Sequence, residues 1–373
     1  MNRKKLIAFS LSLAMTVVPV TPAAAAGAEQ NTEGLQNAVL DLEFENSLED
    51  SSGKGNNGTL SSGEAEYVDG VVGKGLKMNG SSYVNLGNST DLQPENLTLS
   101  FWIRPDSDMK GEELLSWNKN EWYTDGWYLS SENDNTPLTL SVGPAKANGQ
   151  PYRVSVSGKR SEFLPTGEWT HIAVTYDKDS KEICFYRNGV KCSTVTTYGI
   201  SGESTGVLGS DATMEKSIGY NGPKYKGAYL KASLDEYQLY NDVATPEEVI
   251  ALYEESGQTF DRKAVAQADL DKISIPETTQ ENLSLPTTGE SGSVISWSSD
   301  NEAVVAADGT VVRPGVGEKD VTVTLTAEAS YLNGEKVTKT YKVTVTAKQE
   351  INITTSSIMG DVTLEDDYLV NAA

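Results

Sequence analysis

Leu97-Thr98-Leu99-Ser100-Phe101-Trp102-Ile103-Arg104-Pro105 decides the fold. Apolar and polar residues alternate with period two and the run breaks at a proline, which predicts a half-buried strand of an antiparallel sheet ending at a turn. The same grammar returns at Trp169–Asp177, at Ile183–Val195 around Asn188-Gly189, and at Ala232–Tyr240. Between residues 37 and 257 many such runs are separated by Gly, Asn, Asp and Ser clusters, the composition of an all-β sandwich. Near its end Thr245-Pro246-Glu247-Glu248 precedes Val249, Ile250, Leu252 and Tyr253. A capping threonine, a proline at the first helical position and a glutamate three residues on predict one short amphipathic helix.

Farther out, Arg3, Lys4 and Lys5 lead into an apolar run from Leu6 to Val20 and then Ala23–Ala26. A basic start, a short apolar stretch and small residues at a cleavage point predict a secretory signal peptide over residues 1–26, with a polar linker over 27–37. No later segment is apolar enough to cross a bilayer. The whole chain carries 30 basic and 53 acidic residues. Removing residues 1–26 takes away three of the basic ones and leaves a net charge of −26. A chain this acidic repels nucleic acid and anionic membrane surfaces. Secretion and acidity together predict an extracellular or cell-surface protein.

Two cysteines, Cys184 and Cys192, flank the Arg187-Asn188-Gly189 turn. An oxidising compartment permits a disulfide, and the turn decides whether it forms. A two-residue Asn-Gly turn pairs Arg187 with Val190 and sends the two sulfurs to opposite faces of the sheet. A three-residue turn with Gly189 in a bulge sets Cys184 opposite Cys192. The single histidine, His171, sits among β-branched residues in a strand and reads as structural.

Residues 254–263 form a polar connector, and a second, smaller β-rich unit is expected from Ala264 to Lys348. Ser293–Ser299, Thr310–Arg313, Asp320–Ala327 and Val337–Ala347 alternate, and Asp308-Gly309 is a hairpin signal. Trp297 is its expected core anchor. The stretch 349–373 opens a strand-like phrase at Asp361, turns toward a first helical turn and stops, as the start of a further, truncated domain does.

Three constellations bear on chemistry. Asp41, Glu43 and Glu45 alternate along the first strand, opposite Leu40, Leu42 and Phe44. Alternating carboxylates are the raw material of retaining glycosidases, but an edge strand with no neighbouring tryptophan is read as a solvated acidic face. Trp122 and Tyr123 stand among Lys119-Asn120-Glu121 and Thr124-Asp125-Gly126. Aromatic rings beside Asn and Asp grip sugars, the ring covering the C–H face while polar groups meet the hydroxyls. Tyr220, Tyr225 and Tyr229 make a second aromatic stretch, read either as sugar contacts or as caps of the sandwich edge.

The order of these segments resembles a laminin-G-like, concanavalin A-like jellyroll over residues 38–257. The matching phrases are Leu40–Phe44, Asp50-Ser51-Ser52-Gly53, Asn57-Gly58-Thr59, Gly73-Lys74-Gly75-Leu76, Gly80, Tyr83-Val84, Leu97–Pro105, Gly126-Trp127-Tyr128-Leu129, Trp169–Asp177, Phe185–Val190 and Leu234–Tyr240. Residues 258–348 resemble the atrophied bacterial immunoglobulin-like domain, through Leu283–Pro286, Ile295–Ser299, Asp308–Val311 and Tyr341–Val345. Asp361–Ala373 resembles the opening of the catalytic domain of secreted bacterial β-L-arabinofuranosidases. The resemblance implies a structural calcium held by Asp50, Asn57, the Gly80 carbonyl and Asp235, the oxygen ligands a hard cation takes. It also implies a secreted, carbohydrate-binding accessory region of a multi-domain glycoside hydrolase, acting on a plant or other neutral polysaccharide. The jellyroll would dock on the glycan, the immunoglobulin-like unit would act as spacer, and no catalytic residue is expected before Ala373. A non-enzymatic adhesin is the alternative; a glucanase in the jellyroll is the third reading.

Overall fold

The computed structural model describes residues 35, 38–106, 113–119, 126–143, 152–192, 195–198, 215–220, 229–353 and 369–372. Two eight-stranded antiparallel sheets make the jellyroll. The first holds β1 (Ala38–Leu42), β3 (Glu66–Asp69), β4 (Lys74–Asn79), β6 (Leu97–Pro105), β11 (Thr170–Tyr176), β12 (Ile183–Arg187), β13 (Val190–Lys191) and β16 (Lys231–Tyr240). The second holds β2 (Thr59–Leu60), β5 (Val84–Asn85), β7 (Glu113–Lys119), β8 (Gly126–Ser131), β9 (Thr139–Gly143), β10 (Tyr152–Val156), β14 (Val195–Tyr198) and β15 (Ser217–Ile218), and a short helix, α1 (Arg160–Phe163), lies between β10 and β11 in the chain. Leu97, Leu99, Phe101 and Ile103 of β6, Ile172 and Val174 of β11, and Leu234 and Leu239 of β16 meet Trp127, Leu129, Leu140, Val142 and Val154 from the second sheet in one core.

The strand expected to be half-buried is buried on both faces. Its outer residues, Thr98, Ser100 and Trp102, lie beneath the segment that leads into helix α2 (Pro246–Glu255) and beneath the helix itself. The Thr98 hydroxyl donates to the Asp242 carbonyl and accepts from Ala244 N–H, while Trp102 stacks on Tyr253 at 5.5 Å. A single β-strand pattern cannot reveal what covers its polar side. The helix itself starts as its sequence dictates: Thr245 and Glu248 form both bonds of the capping box.

The β12–β13 hairpin resolves the cysteine alternatives. Arg187 pairs with Val190, and Asn188 and Gly189 take φ of 49° and 80°, the two-residue turn with both central residues left-handed. Cys184 and Cys192 are both free. Cys192 packs against the main core, whereas Cys184 sits with Ala173, Tyr186 and Val249 under α2. The disulfide expectation is thus corrected: the register puts the two sulfurs on opposite faces.

After the jellyroll the sequence reading is corrected again. Residues expected to open a β unit at Ala264 form helix α3 (Arg262–Lys272), capped by the Asp261 carboxylate on Ala264 N–H. Ala266 and Leu270, one turn apart, are its buried apolar positions. A four-stranded sheet follows: β17 (Thr278–Thr279), β18 (Val294–Ser299), β19 (Val321–Ser330) and β20 (Val337–Val345), in the order 17-20-19-18. Thr310–Arg313 contributes only the isolated bridge Val305–Val311 rather than a strand. Trp297 lies between the two apolar clusters of this unit, its indole N–H donating to the Pro286 carbonyl at 2.9 Å. β21 (Glu350–Ile353) pairs in parallel with β22 (Leu369–Ala372), so the last residues expected in a helical turn are extended.

Candidate functional site

The polar side of the first sheet gathers acidic residues where β1, β6, β11 and β16 meet α2. Asp41 on β1 pairs with Gln238 on β16, and Gln238 pairs in turn with Ser100 on β6. Asp41 is only 6% exposed, which corrects the reading of a solvated acidic face at that residue, while Glu45 is exposed as expected. The alternation it belongs to ends at Phe44, whose φ of 55° turns the chain and whose ring enters the core. Glu45 therefore leaves the row, and its carboxylate accepts from Lys74 N–H. The three carboxylates thus differ in surroundings, Asp41 buried, Glu43 half-buried and Glu45 exposed.

Sequence reasoning missed the residue that matters most here. Glu236 sits in β16 at a break in register between Asp235 and Gln238, with φ of 46°. A bulge re-aims a side chain, and a glutamate held in the left-handed region is strained. The signal was the Asp235-Glu236 doublet inside an otherwise alternating strand. Burial first, then the charges of Asp235, Asp41, Glu43 and Glu45, push the Glu236 carboxyl up to about 8. Burial raises Asp235 to about 6, against the hydrogen bonds it accepts from Val72, Val71 and Glu236 N–H. Glu255 of α2 is raised too, by burial and by Asp41. Glu236 and Glu255 line a cleft with Ser100, Trp102, His171, Gln238, Leu252 and Ser256, and its open volume of about 10 Å³ has room for about one water.

His171 is 1% exposed, and its Nε2 lies 2.9 Å from the Ser100 hydroxyl. Trp102 and Tyr253 flank the ring at 5.2 and 5.7 Å. Burial pulls its pKa down to about 3, so it is neutral and held as a packed strand residue.

The residues expected as calcium ligands have other partners. Both oxygens of Asp50 are occupied: one accepts from Asp41 and Ser52 N–H, the other from the Ser52 hydroxyl and Asn56 N–H, all at 2.8–2.9 Å. The Asn57 side-chain carbonyl accepts from Asp50 N–H. Asp235 ties down the Val71–Val72 turn, and Gly80, with φ of 78°, donates to the Leu230 carbonyl. Among the described residues no three His, Cys, Asp or Glu side chains form a metal-holding group. These oxygens are of the kind a hard cation takes, and here they accept protein hydrogen bonds that staple the loops. Trp122 and Tyr123, the expected sugar contacts, lie outside the described residues, as does Tyr225.

Residues 78–250 match the family described as the concanavalin A-like lectin/glucanases superfamily, and residues 263–348 match the atrophied bacterial Ig domain. Over 126 residues the chain is 36% identical to an alpha-L-arabinofuranosidase of Bifidobacterium longum subsp. longum, an alignment that takes in 27% of this chain and 12% of that protein. Among solved structures, domain 4 of AbnA, a GH43 extracellular arabinanase from Geobacillus stearothermophilus solved with arabinotriose, is 22% identical. It covers 59% of this chain and all of that one, with a TM-score of 0.42. The binding domain of Paraclostridial Mosquitocidal Protein 1 is 19% identical, covering 79% of this chain and 64% of that one, with a TM-score of 0.46. The chain thus carries a jellyroll of the concanavalin A-like lectin/glucanases superfamily followed by an atrophied bacterial Ig domain.

Proposed function

We propose that this chain is the carbohydrate-binding accessory region of a secreted, multi-domain glycoside hydrolase, and that it binds without cleaving. The superfamily's name covers both lectins and glucanases, and the acidic cleft supports the binding reading. That cleft is the supporting observation. Its two carboxyl groups, Glu236 and Glu255, are raised chiefly by burial and also by neighbouring carboxylates such as Asp41, and its volume suits a water, not a sugar ring. A glycosidase needs two carboxyl groups facing one glycosidic bond across an open groove. The described carboxylates offer a packed, partly protonated cluster instead.

The glycan is a neutral polysaccharide, because a net charge of −23 repels uronate-rich polymers at low salt. The arabinofuranosidase relative makes arabinofuranose-containing polymers the first to try. Trp122 and Tyr123 are proposed contacts. A few rings on a shallow surface give millimolar to micromolar affinity, about −4 to −8 kcal/mol. The immunoglobulin-like unit serves as spacer to the catalytic domain.

The test is a paired assay on residues 27–373 with arabinan, arabinogalactan and β-glucan. Retarded migration in polysaccharide gels with no release of reducing sugar is the expected result, and Trp122→Ala or Tyr123→Ala should weaken it. Sugar release that disappears in Glu43→Gln or Glu236→Gln would replace this reading with a glucanase. No binding to any neutral glycan would move the module to a protein partner.

A further inference from the structure

Three tyrosines from three separate chain segments meet at one edge of the jellyroll. Tyr83 immediately precedes β5, Tyr220 follows β15, and Tyr229 lies two residues before β16. Their ring centroids are 5.1 Å apart for Tyr83–Tyr220, 4.5 Å for Tyr220–Tyr229 and 6.5 Å for Tyr83–Tyr229. The corresponding planes differ by only 19°, 13° and 24°. The rings are therefore nearly parallel and stacked on each other. Tyr67 and Tyr152, by contrast, pack against the main core, and the three stacked rings do not belong to that cluster. All three are half-buried. Tyrosines that served to close the sandwich would pack into its core, and these pack on one another at its rim.

Hydrogen bonds fix each ring's backbone in place. Tyr83 N–H donates to the Ser61 hydroxyl, and its carbonyl accepts from Ser61 N–H, both at 2.9 Å. Ser217 Oγ donates to the Tyr220 carbonyl at 2.8 Å. Leu230 N–H donates to the Gly219 carbonyl, and Gly80 N–H to the Leu230 carbonyl, which pins the chain beside Tyr229. The rings are thus ordered by folding itself, and a ligand need not bear that ordering cost. The chain around Tyr83 is rich in hydroxyl and amide groups: Ser61, Ser62, Asn79 and Ser81. Burial raises the phenols of Tyr83 and Tyr220 above their usual range. They are neutral hydroxyl groups at physiological pH.

We propose that the Tyr83–Tyr220–Tyr229 stack is a binding platform for a neutral sugar residue, which lays its C–H face on an open ring and turns its hydroxyls to the phenols and the Ser/Asn fringe. The outward face of an end ring gives the flat apolar surface, the nearby Ser and Asn side chains give hydroxyl and amide groups, and the chain's acidity disfavours anionic sugars. The inference rests on the glycan-binding reading and adds a site to it.

The test uses the full secreted chain in gels containing soluble arabinan, arabinogalactan, β-glucan or mannan. Tyr220→Ala and Tyr229→Ala should each weaken retardation by about tenfold or more, and Tyr220→Phe, which keeps the ring, by less than about threefold. A second measurement does not depend on the variants folding. The wild-type protein is nitrated with tetranitromethane, with and without a saturating amount of the polysaccharide that retards it most, and the modified tyrosines are mapped. Protection of Tyr83, Tyr220 and Tyr229 is expected. Binding that survives both alanine changes, or equal nitration with and without glycan, overturns the platform and leaves the glycan-binding reading intact. Failure of the wild-type chain to bind any of the four polymers overturns both.

Discussion

Raising the pH should destabilise this jellyroll well before any ordinary base denaturation, and Glu236 sets the size of the effect. Its carboxyl rises from 4.5 in the unfolded chain to about 8 in the fold. Below the lower value both states are protonated and nothing is lost. Between the two, the folded protein holds a proton that the unfolded chain has released, so stability falls as pH rises. Above about 8 the loss is complete. Each tenfold change in proton affinity is worth about 1.4 kcal/mol, which puts the total at roughly 3–5 kcal/mol after allowing for partial exposure. Asp235, raised to about 6, acts in the same direction over the lower part of the window. For a domain of this size the loss corresponds to a fall of about 10 °C in Tm between pH 5 and pH 8.5. Calorimetry of the wild type and of Glu236→Gln across that range measures it. Glu236→Gln should remove most of the slope and melt above the wild type at pH 8. High salt should reduce the part contributed by the exposed Glu45 and leave the larger part that burial causes. A flat wild-type profile, or an unchanged slope in Glu236→Gln, refutes the reasoning.

Two further outcomes follow from named contacts. Asp50→Ala removes an acceptor that ties four donors of the 41–56 loop region, and should cost about 2–4 kcal/mol at pH 7 with or without calcium; a rise in Tm on adding calcium that Asp50→Ala abolishes would restore the cation reading. Burial acts to raise the Asp50 carboxyl, but the hydrogen bonds from Ser52, Asn56 and Asp41 outweigh it and hold it below 3.8, so its contribution is present above that pH and disappears as pH falls through the lower folded value. Phe260→Ala, in the buried joint between the two units, should cost about 3–4 kcal/mol by thermal melting, and a loss below about 1 kcal/mol would show that the joint does not hold.

What was legible in the sequence was whatever a local period or a short motif specifies. The β6 alternation, the Thr245–Glu248 capping box and the Asn188-Gly189 turn each act over a few residues, and the structure contains all three. Helix α3 was missed although Asp261, Ala266 and Leu270 carried its cap and its apolar stripe, because Ala and Val beside charged residues mimic a short strand. The acidic cleft was illegible for a different reason. Its carboxyls, Glu236 and Glu255, come from two elements far apart in sequence, both feel the charge of Asp41 from a third, and Glu236 sits at a break in strand register that alternation does not reveal. Likewise, Tyr83 is 137 residues from Tyr220 in the chain, and no reading of a tyrosine-rich stretch at 220–229 includes it.

The connector between the two units bears on function most directly. Residues 254–263 read as a polar linker, yet Phe260 in their midst is buried with Ile250 of α2, Ala266 and Leu270 of α3, and Ile295 and Tyr331 beyond them. Tyr253 meets the Phe260 ring edge-on at 6.2 Å, and Tyr331 approaches it at 6.0 Å. Gly189, at the tip of the β12–β13 hairpin, lies directly beneath: a β-carbon there would come within 2.8 Å of the Phe260 ring. One glycine thus satisfies two demands, the left-handed turn and the close approach of the linker. An apolar cluster continuous across the joint holds the two units as packed elements rather than as beads on a string. If the unit acts as the proposed spacer, a joint built this way would set direction as well as distance. A glycan held at the jellyroll rim would be presented along a fixed vector to whatever follows the immunoglobulin-like unit, and loosening Phe260 would leave binding intact while removing that directional constraint.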